Sequence, residues 1–210
     1  MKEIDYLAPV VVFSYNRTDH LEKTLKALSS NLLAKESDLI IFSDGSKSEN
    51  DSKGVLEVRR FLKKFQKESI FKSVRIVEAK KNKGLAHSII NGVTTVINQY
   101  KKVIVVEDDV LTSKYFLTYM NNALNSYKEN KKIGSIASIV PNIKIPLDYK
   151  NSVFVSKRPS SWSWATWIDR WETTDWEIKD YPSKKFNLSL RRKINSWGND
   201  VAGRLDRYVA

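Results

Sequence analysis

Residues 102–111 read Lys-Val-Ile-Val-Val-Glu-Asp-Asp-Val-Leu. Four consecutive β-branched apolar residues, Val103 to Val106, run straight into the three carboxylates of Glu107, Asp108 and Asp109. A run this short and this β-branched predicts a strand buried on both faces, as in the interior of a parallel sheet. Three adjacent acids at its carboxyl end repel one another, which is costly unless a cation or hydrogen-bond donors neutralise them. In open α/β sheets, ligands sit just beyond the carboxyl ends of the strands. A divalent cation gripping a diphosphate needs hard oxygen ligands on a rigid support, with room left for phosphate oxygens.

The rest of the chain supplies the sheet. Pro9 to Ser14 predicts a first strand, and Leu21, Leu25, Leu28 and Leu32 then recur at helical spacing. Asp38 to Ser43 predicts a second strand, followed by Val55, Val58, Phe61, Leu62 and Phe65 on one helical face. Val74–Val77 predicts a third strand. Leu85, Ile89, Ile90, Val93 and Ile97 lead into the acidic strand. A fourth helix runs through Tyr115, Phe116, Tyr119, Met120, Leu124 and Tyr127, and Ile133–Ala137 predicts one more strand. This alternation predicts an α/β fold, a mostly parallel central sheet with helices on both faces. Residues 1–210 are expected to form a single domain. From Pro141 to Trp176 the chain turns rich in aromatics and loop formers, and residues 141–210 are expected to be an excursion on the acceptor side. A final helix marked by Val201, Leu205 and Tyr208 stops at Ala210 without a cap or closing strand, so the chain reads as a fragment.

Composition narrows the chemistry. Cysteine is absent and histidine is confined to His20 and His87, so thiolate and histidine-rich metal sites are ruled out. Any metal must be held by oxygen, which favours Mg2+ or Mn2+. No apolar run approaches bilayer length, and Met1-Lys2-Glu3-Ile4-Asp5 opens no signal peptide, so the expected setting is the cytoplasm. The formal net charge of +12 fits a plain soluble surface, or attraction to anionic substrates, anionic lipid or nucleic acid. The lysines are spread out, and no tract is dense enough for a nucleic-acid tail. Peripheral contact with a membrane stays open.

Several residues are candidates for a site. A lone Asp after a strand often caps the next helix, but three acids exceed that need. Alternation along an extended chain puts Glu107 and Asp109 on one face and Asp108 on the other. Asp109 is the expected metal ligand, Glu107 its support, and Asp108 a partner for a ribose or sugar hydroxyl. Arg17, after the first strand, offers a planar fork for phosphate or a base edge. Asp44 can accept the N–H of a pyrimidine, and Gly45 lets a backbone come close, though Asp-Gly alone is an ordinary turn. Lys83, in a Gly turn that opens a helix, adds charge and free backbone N–H groups. Phosphate-loop and dinucleotide glycine fingerprints are absent from the sequence. In Ser160–Trp171, at least half of the rings are expected to be core. Trp162, Trp164 and Trp167 are the candidates for a sugar platform, and Asp169 and Arg170 are expected to pair with each other.

These segments together resemble glycosyltransferases of the GT-A fold, and more narrowly bacterial relatives of the N-acetylglucosaminyltransferase I type. The pieces are PVVVFSYNRTDHLEKTLKAL (9–28), IIFSDG (40–45), NKGLAHSIINGV (82–93), VIVVEDDVLTSKYFLTYM (103–120) and SWSWATWIDRW (161–171). The resemblance implies inverting transfer from a nucleotide-diphosphate sugar, with UDP as the nucleotide and Mn2+ or Mg2+ as cofactor. The acceptor would be a carbohydrate or glycolipid in surface polysaccharide synthesis. It matches Asp109 to the metal ligand, Glu107 and Asp108 to sugar and ribose contacts, and Arg17 and Asp44 to nucleotide contacts. It makes Asp200 the candidate general base, with a base beyond Ala210 as the alternative. The competing readings are a donor-binding module without turnover, a sugar nucleotidyltransferase and a basic nucleic-acid-binding protein. The nucleotidyltransferase lacks its Gly-rich loop here, because Ser14-Tyr15-Asn16-Arg17 stands in that place.

Overall fold

A computed structural model of the chain describes residues 6–139 and 144–209. The elements of the first part follow in order. They are β1 (Val10–Ser14), α1 (Thr18–Ser29), β2 (Asp38–Ser43), α2 (Glu49–Glu68), β3 (Ser73–Glu78), α3 (Leu85–Tyr100), β4 (Lys102–Glu107), α4 (Phe116–Tyr127), β5 (Ile136–Ala137), β6 (Ser163–Trp167) and α5 (Ile168–Trp171). Among the described residues the strands form one six-stranded sheet in the order β3-β2-β1-β4-β6-β5. β3, β2, β1 and β4 are mutually parallel, while β6 runs antiparallel to both β4 and β5. The α/β class and the mostly parallel sheet agree with the sequence reading.

Side-chain alternation explains why β1, β2 and β4 read as unbroken apolar runs. Val10, Val12, Leu39, Ile41, Ile104 and Val106 pack under α1, α2 and α4. The intervening residues face α3, which lies against β4 and β1. A Cβ on Gly92 of α3 would lie 2.7 Å from the ring of Phe13, so glycine is what lets this helix settle over Phe13 and Phe42. Those two rings stack with centroids 5.3 Å apart. Each fully buried Leu, Ile or Val contributes about 1.5–3 kcal/mol relative to exposure, so these faces hold the sheet together.

The register sets the edge that matters. Ser14 lies opposite Ser43, and Phe13 opposite both Phe42 and Glu107. The chain steps from β1 outward to β2 and β3, then returns to the other side of β1 as β4. The β1–β4 gap is therefore the switch point of the sheet, where such folds leave a crevice for ligands.

Two elements differ from expectation. The strand anticipated over Ile133–Ala137 is confined to Ile136–Ala137. The aromatic stretch expected to be an excursion returns to the sheet as β6, in register from Lys102–Trp167 to Val106–Ser163. Ser163, Ala165 and Thr166 fill buried positions where a larger apolar residue would have announced a strand.

The chain divides into two compact units, Met1–Val140 with Ser160–Trp171, and Pro141–Pro159 with Glu172–Ala210. The second holds α6 (Tyr181–Lys184), α7 (Leu188–Asn195) and α8 (Val201–Tyr208). Its small core gathers Tyr181, Ile194 and Ala202. The Tyr181 hydroxyl donates to Asp206 at 2.9 Å, and Arg191 reaches the same carboxylate at 3.0 Å.

Candidate functional site

β4 ends at Glu107, and the chain turns through Asp108 and Asp109. Thr24 of α1 donates to the Asp108 carbonyl at 2.9 Å and pins that turn. Arg17, in the β1–α1 connection, sends one guanidinium nitrogen to a short ion pair with Asp108 and to Asp109 at 3.2 Å. The chain itself thus supplies a cation to two of the three acids, Asp108 and Asp109. This corrects the expected alternation: Asp108 and Asp109 converge on Arg17, because the extended chain stops at Glu107 and the period of two no longer applies.

The electrostatics follow from burial. Asp108 is buried, which raises its proton affinity more than Arg17 lowers it. Glu107 is half-buried and also raised, first by burial and then by the charges of Asp109 and Asp108. Arg17 is held as a cation chiefly by its hydrogen bond to Asp108, yet 47% of its side chain is exposed. It therefore keeps a face toward solvent.

Asp44 has a different environment. Its carboxylate accepts the N–H groups of Gly45 at 2.9 Å, Lys83 at 3.0 Å and Gly84 at 3.1 Å. The amide of Asn82 donates to the Gly45 carbonyl at 2.8 Å. Arg59 of α2 closes the arrangement from below by donating to the carbonyls of Ala79 and Asp44. A Cβ on Gly45 would lie 2.5 Å from the Lys81 carbonyl carbon, so the backbone that glycine admits here belongs to the loop before α3. Two expectations change. The Lys83 and Gly84 N–H groups are taken by Asp44, and three N–H donors of its own chain occupy most of the acceptor capacity of Asp44.

Arg17, Asp44, Lys83 and Asp108 border one cavity of about 620 Å³ at the carboxyl ends of β1, β2 and β4. Gly45, Glu107 and Asp109 stand beside it. Phe13 and Phe42 form an apolar part of the wall, and Tyr15 and Lys47 add a rim. The Tyr15 hydroxyl accepts the Lys47 N–H at 3.0 Å. Sequence reading missed Tyr15 and Lys47, which carry no motif of their own and meet only through the fold. With Arg17, Lys47 and Lys83 around it, the cavity is suited to an anion. Among the described residues, no group of three or more His, Cys, Asp or Glu is arranged to hold a metal ion.

The tryptophans separate. Trp162 is 58% exposed, and its carbonyl faces the Glu107 N–H at 3.4 Å, which places it at the acidic strand end. Trp164 is half-buried and stacks on Trp171 at 5.8 Å. Trp167 is buried, its indole N–H bonds the Leu124 carbonyl, and Arg170 covers its ring at 4.2 Å. Trp167 is therefore a core residue with no ring face left for a sugar. Asp169 and Arg170 do pair, at 2.7 Å. Asp200 lies in the second unit, bonded to Arg158 at 2.6 Å and to Arg204 at 2.7 Å. The Arg158 contact holds its carboxyl well below the usual range, which makes it a weak base.

No protein-family model matches the chain, and no curated protein matches it. Several solved structures are similar in part. A mannosyltransferase from Pyrobaculum calidifontis, solved with GDP-Man and Mn2+, is 14% identical over 63% of this chain and 35% of its own, with a TM-score of 0.44. TarS of S. aureus is 13% identical over 58% of this chain and 20% of its own, with a TM-score of 0.45. A 4-diphosphocytidyl-2C-methyl-D-erythritol synthase from Anaerococcus prevotii is 15% identical over 86% and 80%, with a TM-score of 0.43. At this level of likeness, function has to be read from the chain's own site.

Proposed function

We propose that the chain binds a nucleotide-diphosphate sugar, with uridine as the nucleoside, and transfers the sugar to a hydroxyl of a carbohydrate or glycolipid acceptor with inversion. The observation that carries this reading is the convergence of Arg17, Asp108 and Asp109 at the switch point of the sheet, beside a cavity bordered by further cations. The N–H groups of Arg17 not used on the aspartates reach phosphate oxygens as a planar fork. Lys47 and Lys83 add positive charge along the diphosphate. Asp108, fixed by Thr24 and Arg17, accepts from a ribose hydroxyl. Glu107 and the exposed ring of Trp162 face the sugar.

The acidic end fits one hard divalent ion. The Asp109 side chain is 39% exposed, and Mg2+ or Mn2+ is commonly held by one or two carboxylates, with phosphate and water completing the shell. Asp109 would hold it, with Glu107 in support, and it would supply charge stabilisation to the leaving diphosphate. Because Arg17 already offsets part of the acid charge, affinity for the ion is expected to depend on the diphosphate. The role in bacterial surface polysaccharide synthesis rests on the sequence resemblance, and the cytoplasmic setting on a sequence without a signal-peptide core or a bilayer-length apolar run. Among the described residues, no helix is long and apolar enough to cross a membrane.

The engagement of Asp200 by two arginines favours a second reading, a donor-binding unit without turnover. A thermal-shift panel of UDP-, GDP- and other nucleotide sugars, each with and without Mn2+, tests the shared part. A rise in Tm with one nucleotide sugar and none with the free sugar is expected. No rise with any of them removes both readings, and product release from the donor then separates one from the other.

A further inference from the structure

The second unit carries a surface that is both basic and apolar. From Tyr181 to Asn199 the sequence holds Lys184, Lys185, Arg191, Arg192 and Lys193, and no acid. α7 turns Ile194 inward, with Leu190 packed beside it, and Arg191 toward Asp206. Its outer side presents Ser189, Arg192 and Lys193 to solvent. At its start, Phe186 is 83% exposed and Leu188 71% exposed. The Lys185 ammonium stands 5.2 Å from the centre of the Phe186 ring. Lys184 is paired with Asp180 and Arg191 with Asp206. Among the described residues, Lys185, Arg192 and Lys193 have no carboxylate at ion-pair distance.

We infer that this segment is a contact surface for an anionic lipid bilayer. Phe186 and Leu188 enter the interfacial region, while Lys185, Arg192 and Lys193 lie over acidic headgroups. Large apolar side chains held in water beside Arg192 and Lys193, exposed cations with no ion pair among the described residues, match both halves of such an interface, its acyl boundary and its charge. A single-stranded nucleic acid would instead call for a row of stacking rings along a basic groove, and the aliphatic Leu188 offers no such platform. The inference stands apart from the donor reading, because it concerns other residues and another readout.

The test is co-sedimentation of the full chain with phosphatidylcholine vesicles, with and without phosphatidylglycerol. Pelleting with the anionic vesicles alone is expected. The Arg192→Gln, Lys193→Gln pair should lower partitioning about 30-fold. The Phe186→Ser, Leu188→Ser pair keeps every charge and should lower it about tenfold or more. All four side chains are exposed, so an unchanged melting curve in each variant separates lost binding from lost fold. Absence of pelleting, or full pelleting of the Phe186→Ser, Leu188→Ser variant, overturns the inference. So does a shift of generic DNA that Arg192→Gln, Lys193→Gln abolishes while no vesicles bind, which would give the surface to nucleic acid.

Discussion

Asp44 and Asp108 each stand at the carboxyl end of a strand of one parallel sheet, and their surroundings differ. Asp44 is ringed by backbone N–H donors from Gly45, Lys83 and Gly84, all covalently part of the same fold. Asp108 is satisfied by one guanidinium that is half open to water. The loop before α3 can fold back over β2 because Gly45 has no Cβ, while the turn after β4 is bonded by the side chains of Arg17 and Thr24. A strand-end carboxylate holds its own fold when backbone satisfies it. Where its partner is a half-exposed side chain, as at Asp108, that partner keeps donors open to solvent.

Asp44→Ala probes the closed end and has the largest expected effect. It strips the acceptor from three N–H groups and should cost about 3 kcal/mol in urea unfolding. A loss below about 1 kcal/mol would erase the contrast with Asp108. Gly45→Ala comes next, since the new Cβ meets backbone and not a side chain that can swing away. It should cost about 2 kcal/mol, measured the same way. At the open end, Arg17→Ala leaves the buried Asp108 carboxylate without its cation, a loss of about 1–2 kcal/mol that water reaching the half-exposed Arg17 position keeps below that of Asp44→Ala. Its main consequence belongs to binding.

The smallest effect serves as a control outside both ends. Asp206 is held below the ordinary carboxylate value of 3.8, chiefly by its hydrogen bonds to Arg191 and then to Tyr181. A depressed folded value means that its contribution is present above pH ~4 and fades as pH falls through the lower folded value. Thermal melts between pH 5 and pH 2 should show this acid loss reduced in Asp206→Asn and unaltered in Gly45→Ala.

The parallel part of the sheet was legible because β1, β2 and β4 are apolar on both faces, and that pattern survives in one dimension. The acidic end was legible for the same reason, as three charges after such a run stand out. The partner of those charges was less so. Arg17 was marked for phosphate, and its pairing with Asp108 bridges ninety-one positions that only the β1–β4 register brings together. β6 was missed because its buried positions are small or hydroxylated, and its antiparallel return follows a long detour through the second unit. Trp167 was misplaced because a tryptophan in a polar-looking segment gives no sign of which ring lies under α4. Asp44 was read as an open acceptor because the loop that fills it lies some forty residues further on.

The central claim is that Arg17 is the exchangeable partner at the switch point and turns its free donors to a nucleotide diphosphate. Calorimetric titration of a UDP-sugar with Mn2+ into the wild-type chain and into Arg17→Ala tests it most directly. The account predicts binding to the wild type that weakens about tenfold or more in the variant, with folding intact. Equal affinity in the two chains, or no heat in either, would contradict it.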